Sequence, residues 1–288
     1  MRALVKVNLT LHVGAGRADG YHPVSSICAF PDVGDRVTLG ARAPDFALRV
    51  EGPEAGALAR LAPRDNLVLR AAALLAGRVR VAPREVVLVK SVPAAAGIAG
   101  GTADAAAALV LLNHEARAPL NESALIALSR ALGADGPVCT AARLAGGGLW
   151  HAEGDGDRVR RLAGPPPLHM ALANDRVPVP TGRVFARFDA NGPGGSLAQP
   201  QADLRTARGV LSLAAAGRND LRAPALGISP GISAVEAALS AAPGCRFARM
   251  SGSGGSVFGL FDSRTAAARA ARRARAKGLW AEAGRVLR

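Results

Sequence analysis

A segment built mostly from glycine and alanine, residues 93–104 (PAAAGIAGGTAD), stands directly before the apolar run 105–112 (AAAALVLL). Side chains this small leave backbone N–H groups uncovered where a helix begins, and the N-terminal end of a helix carries partial positive charge. The pattern therefore predicts a turn that opens a buried helix over 103–114 and forms an anion site. It lacks the GK[ST] of a Walker loop, and it is not GxGxxG. A plain tight turn with Thr102 as helix N-cap explains the composition equally well.

Residues 3–13 (ALVKVNLTLHV) alternate between apolar and polar side chains. In a strand, successive side chains point to opposite faces of the sheet, so each set shares one face. The segment predicts one half-buried strand with an unusually polar second face. That polar face consists of Lys6, Asn8, Thr10 and His12.

The rest of the chain predicts a mixture of strands and helices. Further strands are predicted over residues 33–39, 45–51, 86–92, 168–173, 245–250, 257–262 and 280–287. Further helices are predicted over 65–78 with Asp65 or Asn66 as cap, from Asn121 to a stop at Gly133, after Pro180, and near 202–215, 231–242 and 264–276. Because these elements do not alternate strictly as βαβ units, an α+β fold is favoured over a doubly wound sheet. The segment 163–167 (AGPPP) is the predicted junction between domains of residues 1–162 and 163–288, and the last strand is left free to return to the first domain.

Composition excludes several classes of protein. The longest apolar run, 105–112, is far shorter than the roughly 18 residues of a membrane span, so no membrane partner is predicted. Cys28, Cys139 and Cys245 form no CxxC and no Cys/His cluster with metal-ligand spacing, which predicts reduced thiols and a cytoplasmic location. The net charge is +14, but aromatic residues make up only 3%, too few to stack on single-stranded bases. No nucleic-acid partner is therefore predicted, although the positive field favours phosphorylated small molecules.

Three shorter motifs each have an ordinary structural explanation. DGYHP (19–23) holds the single tyrosine of the chain beside His22, and it can be a surface turn. GADGP (133–137) places Asp135 after a predicted helix stop, where an aspartate is common in turns. SGSGGS (251–256) lies between two predicted strands, where small residues allow close approach of a phosphate or of another backbone.

In combination, these motifs are more specific than any one of them. Their order resembles that of the kinase superfamily of galactokinase, homoserine kinase, mevalonate kinase and phosphomevalonate kinase (GHMP kinases). Along the chain come the strand that carries Lys6, the DGYH turn, the Gly/Ala loop (residues 93–104), the GAD turn and the SGSGGS loop. The resemblance spans nearly the whole chain. It is carried by VKVNLTLHV (5–13), GRADGYHPV (16–24), NLVLRAA (66–72), PAAAGIAGGTADAAAAL (93–109), LGADGPV (132–138), PTGRVF (180–185), NDL (219–221) and MSGSGGSVFGLF (250–261). Within the superfamily, DGYH and NDL are most similar to the 4-diphosphocytidyl-2-C-methyl-D-erythritol kinase family of the non-mevalonate isoprenoid pathway.

The resemblance implies a two-domain GHMP-kinase-like fold with its active site in the interdomain cleft, ATP and Mg²⁺ as nucleotide and cofactor, and phosphorylation of the 2-hydroxyl of a cytidine diphosphate substrate. The implied catalytic pair is Lys6 and Asp135. The implied substrate-binding residues are Asn8, Tyr21, His22, Thr181 and Phe185. The implied ATP-binding residues are Asn66, Lys90, Pro93, Ala94, Ala95, Ala96, Gly97, Ile98, Ala99, Gly100, Gly101, Thr102 and Ala103. No metal ligand is assigned.

The chain departs from the family pattern in the phosphate loop. Ala95, Ala96 and Ala99 stand where the family usually has glycine, and Thr102 replaces a serine. Alanine at such a position is strained if the backbone needs a positive φ, and Ala99 is the residue where this matters most. Thr102 keeps the hydroxyl, so a role near phosphate or Mg²⁺ survives.

Three questions stay open on the sequence alone. Another small-molecule kinase of the superfamily, such as homoserine kinase, is an alternative that the DGYH turn argues against. A basic RNA-binding protein is a second alternative, supported only by the charge of +14. The oligomeric state, monomer or homodimer, is undecided.

Overall fold

The computed structural model describes residues 1–58, 61–62, 65–164, 167–192 and 194–286. Within these residues it contains three sheets, with helices packed against them, which confirms the α+β class. The strands are β1 Arg2–Leu4, β2 Val7–Asn8, β3 His12–Val13, β4 Val24–Phe30, β5 Gly34–Arg42, β6 Ala47–Glu51, β7 Arg84–Val89, β8 Gly148–Gly154, β9 Arg158–Leu162, β10 Leu168–Asn174, β11 Cys245–Met250, β12 Val257–Phe261 and β13 Trp280–Val286. The α-helices are α1 Leu67–Ala76, α2 Gly100–His114, α3 Glu122–Ser129, α4 Gly136–Leu144, α5 Thr181–Ala190, α6 Ala207–Ala216, α7 Arg222–Leu226, α8 Gly231–Ser240 and α9 Arg264–Ala276.

The prediction of one continuous strand over residues 3–13 is wrong, because the segment forms three short strands that belong to two different sheets. β1 pairs with β5, whereas β2 and β3 both pair with β4. The predicted polar face is buried as fully as the apolar one, with Asn8 1% and Thr10 0% exposed. Burial is possible because these side chains find polar partners, such as Ser26 for Asn8 and Gln199 for Thr10.

Helix α2 is buried along nearly all of its length. Small residues from Ala103 to Ala108 allow it to pack between α1, α4 and β5 without clashes. It begins at Gly100, three residues before the predicted start, and its N-cap is Ala99, which offers no side-chain cap. The interpretation of Thr102 as the N-cap is therefore wrong, since Thr102 lies inside the first turn.

Several elements have no counterpart in the sequence-based prediction. β4 carries Ser25 and Ser26 among its buried residues, so it lacks the expected alternation. β8 begins and ends with glycine, β9 consists of five residues of which three are arginine, and α7 is a five-residue helix that contains proline, so none of them shows a clear apolar pattern. Helix α4 begins immediately after Asp135 and has proline in its first turn, a position that proline tolerates.

The C-terminal sheet has the order β11-β12-β10-β13, with α8 and α9 packed against it. The last strand pairs along its length with β10, and it reaches the first region through a bridge between Pro31 and Val286 and a hydrogen bond from the Arg285 amide to Asp32. The predicted junction falls partly outside the described residues at 165–166, and the predicted end of the last strand does so at 287. Among the described helices, none is long and apolar enough to span a membrane.

Candidate active site

One cavity of about 420 Å³ lies between the N-terminal region and the C-terminal region. Its N-terminal walls come from β2, β4, the Gly/Ala loop and the GAD turn, and its C-terminal walls come from α5, Leu221 and the SGSGGS loop. The sequence-predicted residues that line it are Lys6, Asn8, Ala95, Ala96, Gly97, Ala99, Gly100, Gly101, Thr102, Asp135, Thr181 and Phe185. Three motifs far apart in sequence therefore meet at a single concave site.

Lys6 and Asp135 form a direct ion pair in the cavity wall, with the ammonium donating to the carboxylate. Burial alone would lower the pKa of Lys6, but the carboxylate of Asp135 outweighs it and the pKa is raised above its usual value. Lys6 therefore stays charged at physiological pH. Asp135 precedes α4 but does not cap it with its side chain, and that side chain is 38% exposed. The carboxylate is thus held by one partner and is otherwise open to the cavity.

The Gly/Ala loop packs backbone against backbone on the SGSGGS loop. The Ser256 amide donates to the Ala96 carbonyl at 3.0 Å, and a Cβ built on Gly97 would lie 2.3 Å from the Gly254 carbonyl oxygen. Gly97 has a φ of +69°, while Ala95 and Ala99 adopt positive values of 51° and 52° as alanines. The sequence-based expectation of strain at Ala99 is therefore met, and it extends to Ala95.

The first turn of α2 points into this cavity with its backbone amides uncovered. Gly100, Gly101 and Thr102 line the cavity, and Ala99 provides no side-chain acceptor for their N–H groups. These amides lack partners further back in the helix, and the helix dipole adds positive charge at the same end. The arrangement suits a phosphate group.

The predicted substrate residues divide into two groups. Asn8, Thr181 and Phe185 line the cavity, and Thr181 shares a hydrogen bond of 2.8 Å with Ser253. His22 stands behind Phe185, with 5.1 Å between the ring centroids. Tyr21 is 61% exposed and is not among the cavity-lining residues described.

Comparison with known proteins agrees with this geometry. The profile of the GHMP kinase N-terminal domain matches residues 66–144, and that of the GHMP kinase C-terminal domain matches residues 204–278. A 4-diphosphocytidyl-2-C-methyl-D-erythritol kinase from Methylobacterium radiotolerans is 47% identical over 97% of this chain and 96% of its own. The chain belongs to the 4-diphosphocytidyl-2-C-methyl-D-erythritol kinase family of GHMP kinases.

Further relatives agree with this family assignment. The enzyme of the same name from Cereibacter sphaeroides is 43% identical over 99% of this chain and 98% of its own. A crystal structure of a 4-(cytidine 5'-diphospho)-2C-methyl-D-erythritol kinase superposes with a TM-score of 0.77 at 31% identity, covering 99% of this chain and 98% of that one. A mevalonate kinase from L. major, at 14% identity and a TM-score of 0.64 with 99% and 95% coverage, shares the fold. The homoserine kinase alternative is not favoured.

Two predicted nucleotide residues of this GHMP kinase do not line the cavity. Asn66 uses its side-chain oxygen to cap α1 by accepting from the Val68 amide at 2.9 Å. The Lys90 side chain is only 2% exposed, and its ammonium is committed to the carboxylates of Asp35 and Asp104. Among the loop residues, Pro93, Ala94, Ile98 and Ala103 also stand outside the described lining. Their roles in ATP binding stay predictions.

The contacts of three further residues of the site were not predicted from the sequence. Ser26 accepts from the Asn8 amide group, and Ser253 holds Thr181. Asn219, of NDL, donates to the carbonyls of Met250 and Gly252, both at 3.0 Å, and so fixes the SGSGGS loop. Asn219 and Ser253 lie in motifs that the sequence analysis singled out, NDL and SGSGGS, but Ser26 carried no signal. The contacts themselves were not predictable because the partners lie far apart in sequence.

We expect the buried cluster of Lys90, Asp35 and Asp104 to make stability depend on pH. Burial raises the pKa of Asp104 to about 7; the Lys90 ammonium opposes this shift and the Asp35 carboxylate adds to it. A carboxyl whose pKa is raised in the folded protein binds its proton more tightly there than in the unfolded chain. The stability that the protonated Asp104 contributes is therefore complete below about pH 4 and is lost as the pH rises towards 7.

Asp104→Asn should remove this dependence. The unfolding free energy of the wild type minus that of the variant should therefore be about 2–4 kcal/mol larger at pH 4 than at pH 7.5. Urea unfolding of both proteins at the two pH values measures the difference. Parallel pH profiles for the two proteins would contradict the expectation.

Proposed function

We propose that this GHMP kinase transfers the γ-phosphoryl group of ATP to the 2-hydroxyl of 4-diphosphocytidyl-2-C-methyl-D-erythritol, giving the 2-phosphate and ADP, in non-mevalonate isopentenyl diphosphate biosynthesis. The observation that carries the proposal is the ion pair of Lys6 and Asp135 in the same cavity as the uncovered first turn of α2. A base beside a hydroxyl acceptor and an anion site for the donor are the two parts that phosphoryl transfer needs. The substrate follows from the names of the relatives at 43–47% identity.

Asp135 acts on the acceptor hydroxyl. Its exposed carboxylate orients the hydroxyl and accepts its proton as the new O–P bond forms. Lys6 holds that carboxylate and offsets negative charge on the transferring phosphoryl group. Lys6 is one of only three lysines among 36 basic residues, and a compact point charge suits this task better than a guanidinium fork.

Asn8 supplies an acceptor to the substrate. Its side-chain nitrogen donates to Ser26 at 2.7 Å, which fixes the amide, while its oxygen is buried without a partner in the described structure. A buried unpaired acceptor is costly unless a ligand donates to it. A hydroxyl of the erythritol portion is the donor that we assign to this oxygen.

The phosphates of ATP would lie against the amides of Gly100, Gly101 and Thr102. No group of three or more His, Cys, Asp or Glu side chains at metal-binding distance occurs in the described residues. Mg²⁺ commonly keeps few protein ligands beside substrate phosphates, and the Thr102 hydroxyl lies in the cavity lining next to the Gly100 and Gly101 amides that would hold them. When bound, the ion would neutralise charge on the β- and γ-phosphates.

Thr102 permits a direct test of this placement. Thr102→Ser should keep kcat and the KM for ATP within about 3-fold, because the hydroxyl remains, whereas Thr102→Val should raise the KM for ATP or Mg²⁺ by about 10-fold or more. The valine side chain has nearly the same shape, so packing is conserved. If Thr102→Val showed wild-type dependence on both, the hydroxyl would have no part in holding phosphate or metal.

The base of the cytidine substrate would lie towards Phe185, Tyr21 and His22, with adenine elsewhere, near Asn66. Phe185 faces the cavity from α5, and His22 supports it from the DGYH turn. Stacking on an aromatic side chain contributes about 1–3 kcal/mol per base.

Domain division and location are part of the same proposal. Residues 1–162 would form the nucleotide-binding domain and residues 163–288 the smaller domain that completes the substrate site.

All three cysteines are free thiols, which fits a reducing cytoplasm. The proposed partner is the small-molecule substrate, without nucleic acid or membrane.

The experiment is a coupled ADP-release assay on the purified protein with a substrate panel. The 4-diphosphocytidyl-2-C-methyl-D-erythritol substrate should support turnover with kcat of about 1–100 s⁻¹. Homoserine and mevalonate should give no release above the rate without acceptor. Turnover with homoserine or mevalonate in preference to the cytidine compound would replace the proposed substrate, while leaving a kinase.

A further inference from the structure

Three buried charged side chains connect the two ends of the Gly/Ala loop. Asp35, Lys90 and Asp104 are each no more than 2% exposed, and the Lys90 ammonium donates to both carboxylates, at 3.0 Å to that of Asp104. None of the three belongs to the described lining of the cavity. Burying charges is costly, and apolar side chains of similar volume are often as stabilising. Stability alone therefore gives little reason for this cluster, whereas its place beside the loop does.

Asp35 holds the chain where it enters the loop. Oδ1 of Asp35 accepts from the backbone amides of Ser91 and Val92, at 2.5 Å and 2.9 Å, and Val92 directly precedes the loop. A carboxylate that accepts from two successive amides makes strong bonds and fixes the direction of the backbone. The Trp280 indole donates to the Ser91 carbonyl at 2.8 Å, so both backbone groups of Ser91 are bound.

Lys90 connects Asp35 to the chain where it leaves the loop. Oδ2 of Asp35 accepts from the Lys90 ammonium, which also donates to Oδ2 of Asp104 near the start of α2. A Cβ built on Gly100 would lie 3.4 Å from the Lys90 nitrogen, so the ammonium also lies close to the first residue of the helix. One carboxylate therefore holds the loop directly at its entry and through Lys90 at its exit.

The backbone of the loop needs such restraint. Ala95 and Ala99 lie in the left-handed region, at φ values of 51° and 52°, which is unfavourable for a residue with a Cβ. Strain of this kind persists only where the surrounding structure over-determines the backbone. Ala99 directly precedes α2, so its conformation sets where the uncovered amides of Gly100, Gly101 and Thr102 point.

We propose that Asp35 is a positioning residue for the nucleotide phosphates, because it holds the Gly/Ala loop, directly and through Lys90 and Asp104, in the conformation that presents the first amides of α2. Lys90 then acts through the loop and not by contact with ATP. The inference rests on the proposed binding of ATP at this site, and it adds the residues that keep the site formed.

Asp104→Ala and Asp104→Asn are the central comparison. Alanine suits the alanine-rich helix α2 and leaves Lys90 paired with Asp35, so no charge is left alone, but the connection at the loop exit is lost. Asparagine keeps an oxygen that can accept from Lys90. Asp104→Ala should raise the KM for ATP about 5-fold, with the KM for the cytidine substrate within about 2-fold, whereas Asp104→Asn should stay within about 2-fold for both.

Asp35→Ala removes both connections and should raise the KM for ATP about 10-fold. Should it fail to fold, the comparison at Asp104 still decides. Leu125→Ala is the control for a loss of stability alone, since Leu125 is buried in α3 and is outside the described cavity lining. It should lower the Tm and leave the KM for ATP unchanged.

A second readout does not depend on turnover. The Lys6 amide donates to the Ile98 carbonyl and the Ser256 amide to the Ala96 carbonyl, both at 3.0 Å, so the hydrogen exchange of these amides reports whether the loop stays in place. Measured by NMR on the free enzyme, both amides should exchange at least about 5-fold faster in Asp104→Ala than in Asp104→Asn.

Two kinetic results would overturn the proposal: an unchanged KM for ATP in Asp104→Ala, or equal rises in the alanine and asparagine variants. If the wild type released no ADP with any acceptor, the proposed function would fail instead. Amide exchange would then still decide whether the cluster holds the loop, and equal exchange rates in the two Asp104 variants would exclude it.

Discussion

Replacing Asp135 with asparagine, or Lys6 with methionine, is expected to lower kcat by at least about 100-fold each. Asparagine keeps the shape of the side chain but cannot accept the proton of the acceptor hydroxyl. Methionine nearly fills the space of the lysine stem but removes the charge that faces the carboxylate and the phosphoryl group. Steady-state kinetics with saturating ATP and cytidine substrate measure both losses.

The double variant separates a working pair from two independent residues. Lys6 and Asp135 are hydrogen-bonded to each other, so their combined loss should be much smaller than the product of the single losses. The exposed pair Arg246 and Asp262 offers a control. Arg246→Met, Asp262→Asn and their combination should leave kcat unchanged. An Asp135→Asn enzyme with wild-type kcat would remove Asp135 from the chemistry.

Replacing Gly97 with alanine is expected to lower the free energy of unfolding by about 2 kcal/mol or more and to raise the KM for ATP at least about 10-fold. The new Cβ would lie 2.3 Å from the Gly254 carbonyl oxygen, at a residue whose φ is +69°. Ala95 and Ala99 show that this loop accepts alanine at positive φ. The clash with a backbone atom is therefore the larger cost, and relieving it must separate the two glycine loops that line the cavity.

Gly146→Ala is the matched control, since Gly146 has a φ of +79° and no other group lies within 4 Å of the position that its new Cβ would take. It should lose only the strain of alanine in the left-handed region, about 1–2 kcal/mol, with no change in the KM for ATP. Thermal or urea unfolding and ATP kinetics on both variants make the comparison. Equal losses of stability and an unchanged KM in Gly97→Ala would show that contact between the loops has no part in nucleotide binding.

Local patterns predicted those parts of the fold that are decided locally. Alanine and apolar residues after 104 predict the buried helix α2, the helix predicted from Asn121 is α3 with Asn121 as its N-cap, and the helix predicted near 264–276 is α9. The first strand failed because alternation indicates extended backbone but does not say which sheet it joins. Pairing with β4 and β5 is a long-range matter that residues 3–13 do not encode by themselves.

The candidate site shows the same division. The order of motifs predicted which segments meet, and Lys6, Asn8 and Asp135 do line one cavity. The side-chain partners were not predictable in this way. Lys90 finds Asp35 across 55 residues and His22 finds Asp189 across 167, and both pairs depend on how strands and helices pack.

The most direct test of the central claim is a ³¹P NMR spectrum of the reaction of purified enzyme with ATP, Mg²⁺ and 4-diphosphocytidyl-2-C-methyl-D-erythritol. The 2-carbon bears a methyl group and no hydrogen, so a phosphate on its hydroxyl has no proton three bonds away. We predict ADP together with an equimolar new phosphomonoester signal that is a singlet in the proton-coupled spectrum, and neither product with Asp135→Asn on the same timescale. A proton-coupled multiplet would place the phosphate on another hydroxyl, and ADP without a new monoester would contradict phosphoryl transfer to this substrate.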